Sequence, residues 1–201
     1  MDLLKLQDKF APQDIEWRLG RVGMTKSGKL YGTALAYITN RAIMHRLDMV
    51  CGPENWRNEF REWNVGAKRG VLCGLSIRIN GEWVTKWDGA ENTDIEALKG
   101  GLSDSMKRAG VQWGIGRYLY DLDENFAIID EAGSHYAAGV EKSSGKPYRF
   151  RWSPPRLPVW ALPTKEEQTT AAEPLPARRL TQKTPALPEY TLGQAPAGKR
   201  P

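Results

Sequence analysis

A chain of 201 residues, 40% hydrophobic and carrying eight Trp, is long enough for one ordinary domain plus a tail and can fill a real core. The formal charge of +5 suggests a nucleic-acid partner, but Met1 to Asn125 holds 18 Lys and Arg against 17 Asp and Glu, so any anion site must rest on local clustering. Cys51 and Cys73 lack a second Cys or His at ligand spacing, which excludes a disulfide framework and a metal knuckle, and no window approaches the roughly 18 apolar residues of a membrane span.

The opening MDLLKLQDKF has no sustained apolar run for a secretory leader, which points to the cytoplasm. Leu3, Leu4, Leu6 and Phe10 suggest a short helix, and Pro12 opens a second through Ile15, Trp17 and Leu19, giving N-terminal helices over 1–20. Arg21 to Met24 and Leu30 to Tyr37 flank Ser27-Gly28 and pair as a hairpin. Between them GMTKSGKL comes one residue short of a phosphate-binding loop, lacking the hydroxyl that holds magnesium, and is read as a turn. Ile38, Ala42, Ile43, Leu47 and Val50 recur at helical spacing until Gly52-Pro53 stops them, with Arg41, His45 and Asp48 on the outer surface.

Trp56 to Val65, Gly70 to Asn80 and Glu82 to Asp88 are rich in aromatic and β-branched residues, and Asn80-Gly81 is the strongest hairpin signal in the chain. An antiparallel meander follows. Cys73, Leu75, Ile77 and Ile79 form its consistently apolar face, which is expected to pack on a helix. The GAKRG segment, Gly66 to Gly70, reads as a loop with Lys68 and Arg69 at an exposed tip, serving either solubility or a strand contact.

Thr93 to Tyr120 is expected to form one long helix: Thr93 and Glu96 make a capping box, and Ile95, Leu98, Leu102, Met106, Ala109 and Trp113 form one apolar stripe. Lys99, Ser103 and Lys107 run in an i, i+4 row with Arg108 beside Lys107 and Arg117 further on. Such a row is either a solvated helix face or a phosphate-binding one. Beyond Ala127 the pattern breaks, and ten of thirteen Pro lie from Pro154 onward, so the segment is expected to be largely disordered. Within it Tyr148, Phe150, Trp152 and Trp160 alternate with Lys146, Arg149, Arg151 and Arg156, a composition suited equally to stacking bases or docking a partner and to folding back on the domain.

TALAYITNRAIMHRLDMVCGPENW, followed by GEWVTKWDGAENTDIEALKGGLSDSMKRAGVQWGIGRYLY, resembles the Rad-fifty-two/Rad-twenty-two family of single-strand annealing proteins in its phage and bacterial branch, over roughly Leu19 to Leu122. The resemblance implies an α+β fold: an antiparallel β-meander packed on a long helix, a β-β-β-α core over 21–125, preceded by the N-terminal helices and followed by a basic aromatic extension over 126–163 and a disordered Pro-rich tail over 164–201. It also implies a homo-oligomeric ring whose basic groove holds single-stranded DNA by its backbone with the bases turned outward. Arg41 matches the family's groove arginine, and Lys107 with Arg108 its paired cations. Val111 stands where relatives carry another basic residue, for which Arg117 is the substitute, and Lys68 and Arg69 loosely match an outer strand site. Lys99 belongs to the same helical row. The implied function is annealing of complementary strands in homologous recombination or double-strand break repair, with no nucleotide hydrolysis, no catalytic residue, no cofactor and no metal, in the host cytoplasm if the gene is a phage's. A single-strand-binding protein is a candidate partner for the tail.

Two rivals stand beside it. A passive single-strand binder or recombinase-loading factor needs the same groove. A nuclease would use Asp88, Glu91, Asp94 and Glu96 as a magnesium site, although Thr93, Asp94 and Glu96 already suit a helix start.

Overall fold

The structure, a computed structural model, describes residues 1–91, 97–123 and 125–167, with backbone alone at 97–99. The expected capping box, Ile95, Glu124 and the tail from 168 lie outside the described residues, as do the side chains of Leu98 and Lys99.

The N-terminus begins with a 3-10 turn, Leu3–Gln7, capped by Asp2, whose carboxylate accepts from the Leu4 N–H at 3.1 Å. The second expected helix is a single turn, Pro12–Asp14, and the chain then becomes strand β1, Ile15–Met24. Ile15, Trp17 and Leu19 are spaced by two, which is the strand period, so their apolar side chains share one face only in an extended chain. β1 pairs antiparallel with β2, Leu30–Ile38, from Ile15 opposite Ile38 to Met24 opposite Leu30, with a bulge between Leu19 and Val22.

Helix α1, Asn40–Cys51, starts where the Thr39 hydroxyl accepts from the Ala42 N–H and ends at Gly52, whose φ of +84° only glycine adopts readily. Ile43, Leu47 and Cys51 turn inward. Arg46 was not singled out by sequence. It leaves the helix toward the N-terminus, donates to the carbonyls of Lys5, Asp8 and Lys9, and covers the Phe10 ring at 4.1 Å. Burial pushes its pKa down, an effect that neighbouring Asp8 only partly offsets.

The meander is present as read: β3, Trp56–Val65, β4, Lys68–Ile79, and β5, Glu82–Glu91, in the order β3-β4-β5. Asn80 and Gly81, with φ of +52° and +90°, form the turn that matches strand twist. The other turn is tighter than expected. Val65 pairs with Lys68 across Gly66-Ala67, so Lys68 and Arg69 begin β4 instead of forming a loop tip.

Helix α2, Ala97–Gln112, covers the face of β4 that carries Cys73, Leu75 and Ile77, each with no exposed surface. Met106, Ala109 and Trp113 complete this core, and the Trp113 indole N–H donates to the Leu75 carbonyl at 2.9 Å. The helix does not continue to Tyr120. Gly114 N–H bonds to the Val111 carbonyl and Ile115 N–H to that of Gly110, the paired bonds of a Schellman ending, with Gly114 at φ +93°. Gly116, at φ +68°, lies against Ile38, where a Cβ would meet Cγ1 at 2.6 Å. A 3-10 turn, Arg117–Asp121, follows.

The segment after Ala127 is ordered structure up to Glu167, contrary to the expected disorder. Its entry is fixed by backbone bonds to β2, Ala34 N–H to Asn125 and Ala127 N–H to Gly32. Three strands follow, β6, Ile128–Ile129, β7, His135–Val140, and β8, Pro147–Ser153, in the order β6-β8-β7. Trp152 is buried against Ala34 and Ala127 and stacks on His135 at 4.5 Å between centroids. Leu157 then packs on the main core, Ala161 is fully buried, and the Glu167 carboxylate accepts from the Lys9 N–H. Among the described residues no helix is long and apolar enough to cross a membrane.

This packing sets a testable boundary. A chain ending after Glu167 is expected to melt like the full chain, whereas one ending after Ser153 loses Leu157 and Ala161 from the core. Burying one such side chain contributes about 2 kcal/mol, so its melting temperature is expected to fall by about 4–8 °C. Differential scanning calorimetry checks it, and equal melting of the two truncations would move the boundary back to Ser153.

Candidate nucleic-acid interface

Lys107 and Arg108 sit between the buried Met106 and Ala109 on α2, so both side chains leave from the flank of the helix. They enter a cleft of about 920 Å³ walled by β2, the end of β5 and the 3-10 turn after α2. Lys107 Nζ lies 4.5 Å over the Tyr37 ring and 3.4 Å from Asp104 Oδ1. Arg108 donates through Nε to Asp88 Oδ1 at 2.9 Å, and Gln112 donates to the other carboxylate oxygen at 3.1 Å. Burial raises the Asp88 pKa, but the bonds from Gln112, the Gly89 N–H and Arg108 together outweigh it, so the carboxyl is held below its ordinary range. Asp88 therefore stays charged and aims the guanidinium. Arg108 is 52% exposed and remains open to solvent.

Arg18 from β1 lines the same cleft, as does Tyr120, 69% exposed. Neither was singled out from the sequence. Once Ile15-Glu16-Trp17-Arg18-Leu19 is read as a strand, alternation puts Arg18 opposite Trp17, which was the available signal. The walls also carry Glu91, Asp104 and Asp123, so the cleft is mixed in charge and its cations are concentrated on α2 and β1.

Arg41 is exposed on the first turn of α1 but lines a different cleft, of about 1050 Å³, with His45, Arg46, Lys9 and Glu16. The structure does not bring it into the Lys107–Arg108 cleft. The two clefts are neighbours: Asn40 donates to Ser103 at 3.3 Å, one turn ahead of Lys107, and Tyr37 pairs across the sheet with Glu16. Burial first, then Glu16 beside it, pushes the Tyr37 pKa up. Asp48 is drawn away from Arg41 and His45 to accept from the Trp56 indole at 2.6 Å.

The other sequence candidates have different surroundings. Arg117, beyond the end of α2, donates to the carbonyls of Val111 and Gln112, and Lys86 joins it on Gln112, so both cations cap the helix C-terminus. Arg117 is thus engaged at the helix end and is not among the residues lining the Lys107–Arg108 cleft. Lys68 is exposed and bonds to Glu91 at 2.6 Å, a contact that raises its pKa. Arg69 is exposed and projects from the opposite face of β4. Asp88 and Glu91, half of the imagined magnesium site, face Arg108 and Lys68, while Asp94 and Glu96 lie outside the described residues. Among the described residues no three His, Cys, Asp or Glu side chains are grouped to hold a metal.

The meander has a second face, away from α2. Alternation places Arg57, Arg61, Trp63, Trp83 and Trp87 there. Trp87 lies flat on Gly74, where a Cβ would meet its ring at 2.6 Å, and Trp63 lies against Gly70. Arg61 covers Trp87 at 4.5 Å and Arg57 covers Trp83 at 4.4 Å. All three indoles remain exposed, between 37% and 47%.

Residues 3–136 match the family described as Rad52/22 family double-strand break repair protein. The chain belongs to this family. Its relatives include the single-stranded DNA-binding protein DdrA of Deinococcus deserti, 33% identical over 174 residues that cover 84% of this chain and 73% of that protein. The protein of the same name from Deinococcus radiodurans is 34% identical over 167 residues, 81% of this chain and 68% of that one. No solved structure matches. The Rad52/22 match takes in the Lys107–Arg108 cleft, the meander and all of the Arg41 cleft except its wall of Leu162, Pro163 and Glu167, and it stops at the second residue of β7, so most of the β7–β8 hairpin lies beyond it.

Proposed function

We propose that this protein binds single-stranded DNA across the cleft of Arg18, Lys107 and Arg108, and that a homo-oligomer of it anneals complementary strands in recombination or break repair. The observation that carries the reading is the adjacent pair Lys107 and Arg108 on one rigid wall, with Tyr37 and Tyr120 beside them. Cations at fixed spacing neutralise phosphates without reading sequence, and aromatic faces hold bases or sugars with little sequence preference. Family membership and the two Deinococcus relatives, both named as single-stranded DNA-binding proteins, support the same partner. Arg41 extends the path into the neighbouring cleft, with strand crossing at the Asn40–Ser103 contact. The exposed Trp face supports self-association, because three indoles on an uncovered sheet are an interaction surface. A closed oligomer multiplies weak contacts by avidity, so a nearly neutral domain holds a long strand tightly. The duplex formed supplies the driving force, and the chemistry needs neither nucleotide nor metal. The protein acts where bacterial DNA is, in the cytoplasm, and the tail is available to a single-strand-binding protein.

Mixing two complementary oligonucleotides with the protein in chelator, without nucleotide, is expected to accelerate duplex formation over the spontaneous rate. Binding without acceleration would leave the passive binder or recombinase-loading factor in its place, and cleavage on adding magnesium would favour the nuclease.

A further inference from the structure

The aromatic and basic residues after Ala127 divide cleanly by strand alternation. In β8, Tyr148, Phe150 and Trp152 turn toward the body of the protein, while Arg149 and Arg151 between them are exposed. In β7 the partner of Arg151 is Tyr136, 65% exposed, and that of Arg149 is Ala138. Lys142 and Lys146 stand at the hairpin tip, both exposed. The outward face therefore presents a phenol ring and two guanidinium groups, with two ammonium groups at the hairpin tip beside it. The carboxylate nearest the tip is withdrawn from it: Glu141 is buried and accepts from the N–H and hydroxyl of Ser143 and from the Ser144 N–H, which lowers its pKa to about 2. Asp130 and Glu131, in the turn before β7, are the other acids of this sheet.

We propose that this outward face of the β7–β8 hairpin is a second contact surface for single-stranded DNA, distinct from the Lys107–Arg108 cleft and resting with it on the reading that the partner is single-stranded DNA. Lys142, Lys146, Arg149 and Arg151 take phosphates, and the Tyr136 ring takes a base. Charge complementarity selects the occupant, because a polyanion satisfies four cations at once while the exposed ring prefers a π-face that duplex stacking would hide. The chain itself links the two surfaces. Asn125 lines the cleft and bonds to β2, and three residues later Ile128 pairs with Ser153 of β8, a backbone reach of at most about 11 Å. A strand leaving the cleft along this edge meets the hairpin next.

The test uses the full chain, oligo(dT) of two lengths and a titration over salt. In K146A/R149A, which spares the bond from Arg151 to the Gly133 carbonyl, the long oligonucleotide is expected to lose affinity and the slope of log affinity against log salt to become shallower by about 1.4, two phosphates at about 0.7 each. The short oligonucleotide, held by the cleft alone, keeps its affinity. The charge-preserving K146R/R149K restores the parent slope, and Tyr136→Ala weakens long-strand binding about fivefold while Tyr136→Phe does not. Parent-like affinity and slope in both K146A/R149A and Tyr136→Ala would overturn the hairpin surface. The K107A/R108A variant measured alongside separates the two readings: loss there with no change in the hairpin variants removes the hairpin alone, and loss in the hairpin variants with none there supports the hairpin and removes the cleft.

Discussion

Replacing Lys107 and Arg108 together by Ala is expected to lower single-strand affinity at least tenfold and to make the salt slope shallower by about 1.4 per subunit engaged. Folding is expected to change little. Lys107 contributes a cation–π contact to Tyr37 of about 0.5–1 kcal/mol. Arg108 is half exposed, so its pair with Asp88 is discounted to under about 1 kcal/mol. Gln112 and the Gly89 N–H still hold the Asp88 carboxylate after Arg108 is gone. Together these contribute under about 2 kcal/mol, so the melting temperature is expected to drop by less than about 4–8 °C with the cooperative transition intact. Annealing falls in step with binding if the bound strand is the reacting species. Unchanged affinity would mean that these cations are a solvated helix face, and loss of the oligomer with affinity per subunit intact would mean that they brace subunit contacts. A sizing run beside the titration distinguishes the three.

Strand and helix were legible wherever the apolar period was unambiguous and a glycine or cap marked the end. The β4–β5 turn at Asn80-Gly81, the β1–β2 turn and α1 with its Gly52 end follow directly from local chemistry. Two differences between pattern and structure share one cause, a helical expectation carried beyond the residues that support it. At Ile15 to Leu19 the spacing of two was overruled by the proline before it, although proline fixes only a first turn. The apolar stripe ends at Trp113, short of the expected helix end at Tyr120, and positive φ at Gly114 and Gly116 turns the chain toward Gln7 and Ile38. The third sheet was missed for a different reason. Its strands are short, its turns carry Gly, Ser and Pro, and its inward residues find their partners on β2, so its order depends on a distant contact that no local pattern reveals. The alternation of Tyr148, Phe150 and Trp152 was its one visible sign.

The candidate site was legible as a pair and not as a groove. Adjacent cations on a helix flank can be read from sequence, hence Lys107 and Arg108. Whether a third cation joins them depends on tertiary placement, which sent Arg41 to the neighbouring cleft, consumed Arg117 as a cap and brought in Arg18 from a strand.

Trp63→Glu, Trp87→Glu is expected to convert the proposed homo-oligomer to a folded monomer near 22.6 kDa in light scattering. The argument starts from what these rings already do. Trp87 rests on Gly74 and under Arg61, and Trp63 on Gly70, so each packs on a glycine of the neighbouring strand β4 while part of the ring stays in water. Neither belongs to the core that α2 covers, so their loss creates no internal cavity and the cooperative melt survives. Across an interface the same rings would be fully desolvated, and buried Trp anchors typically cost about 2 kcal/mol or more when removed. Two of them per contact weaken association by about a thousandfold, and the added carboxylates bring charge that the contact would have to desolvate. Binding to a short oligonucleotide, which one cleft holds, is expected to persist, while affinity for a long strand collapses because avidity is gone. Glu substitutions that leave the assembled mass unchanged at micromolar concentration would place the subunit contact elsewhere, and loss of the cooperative melt would show that the indoles support the sheet itself.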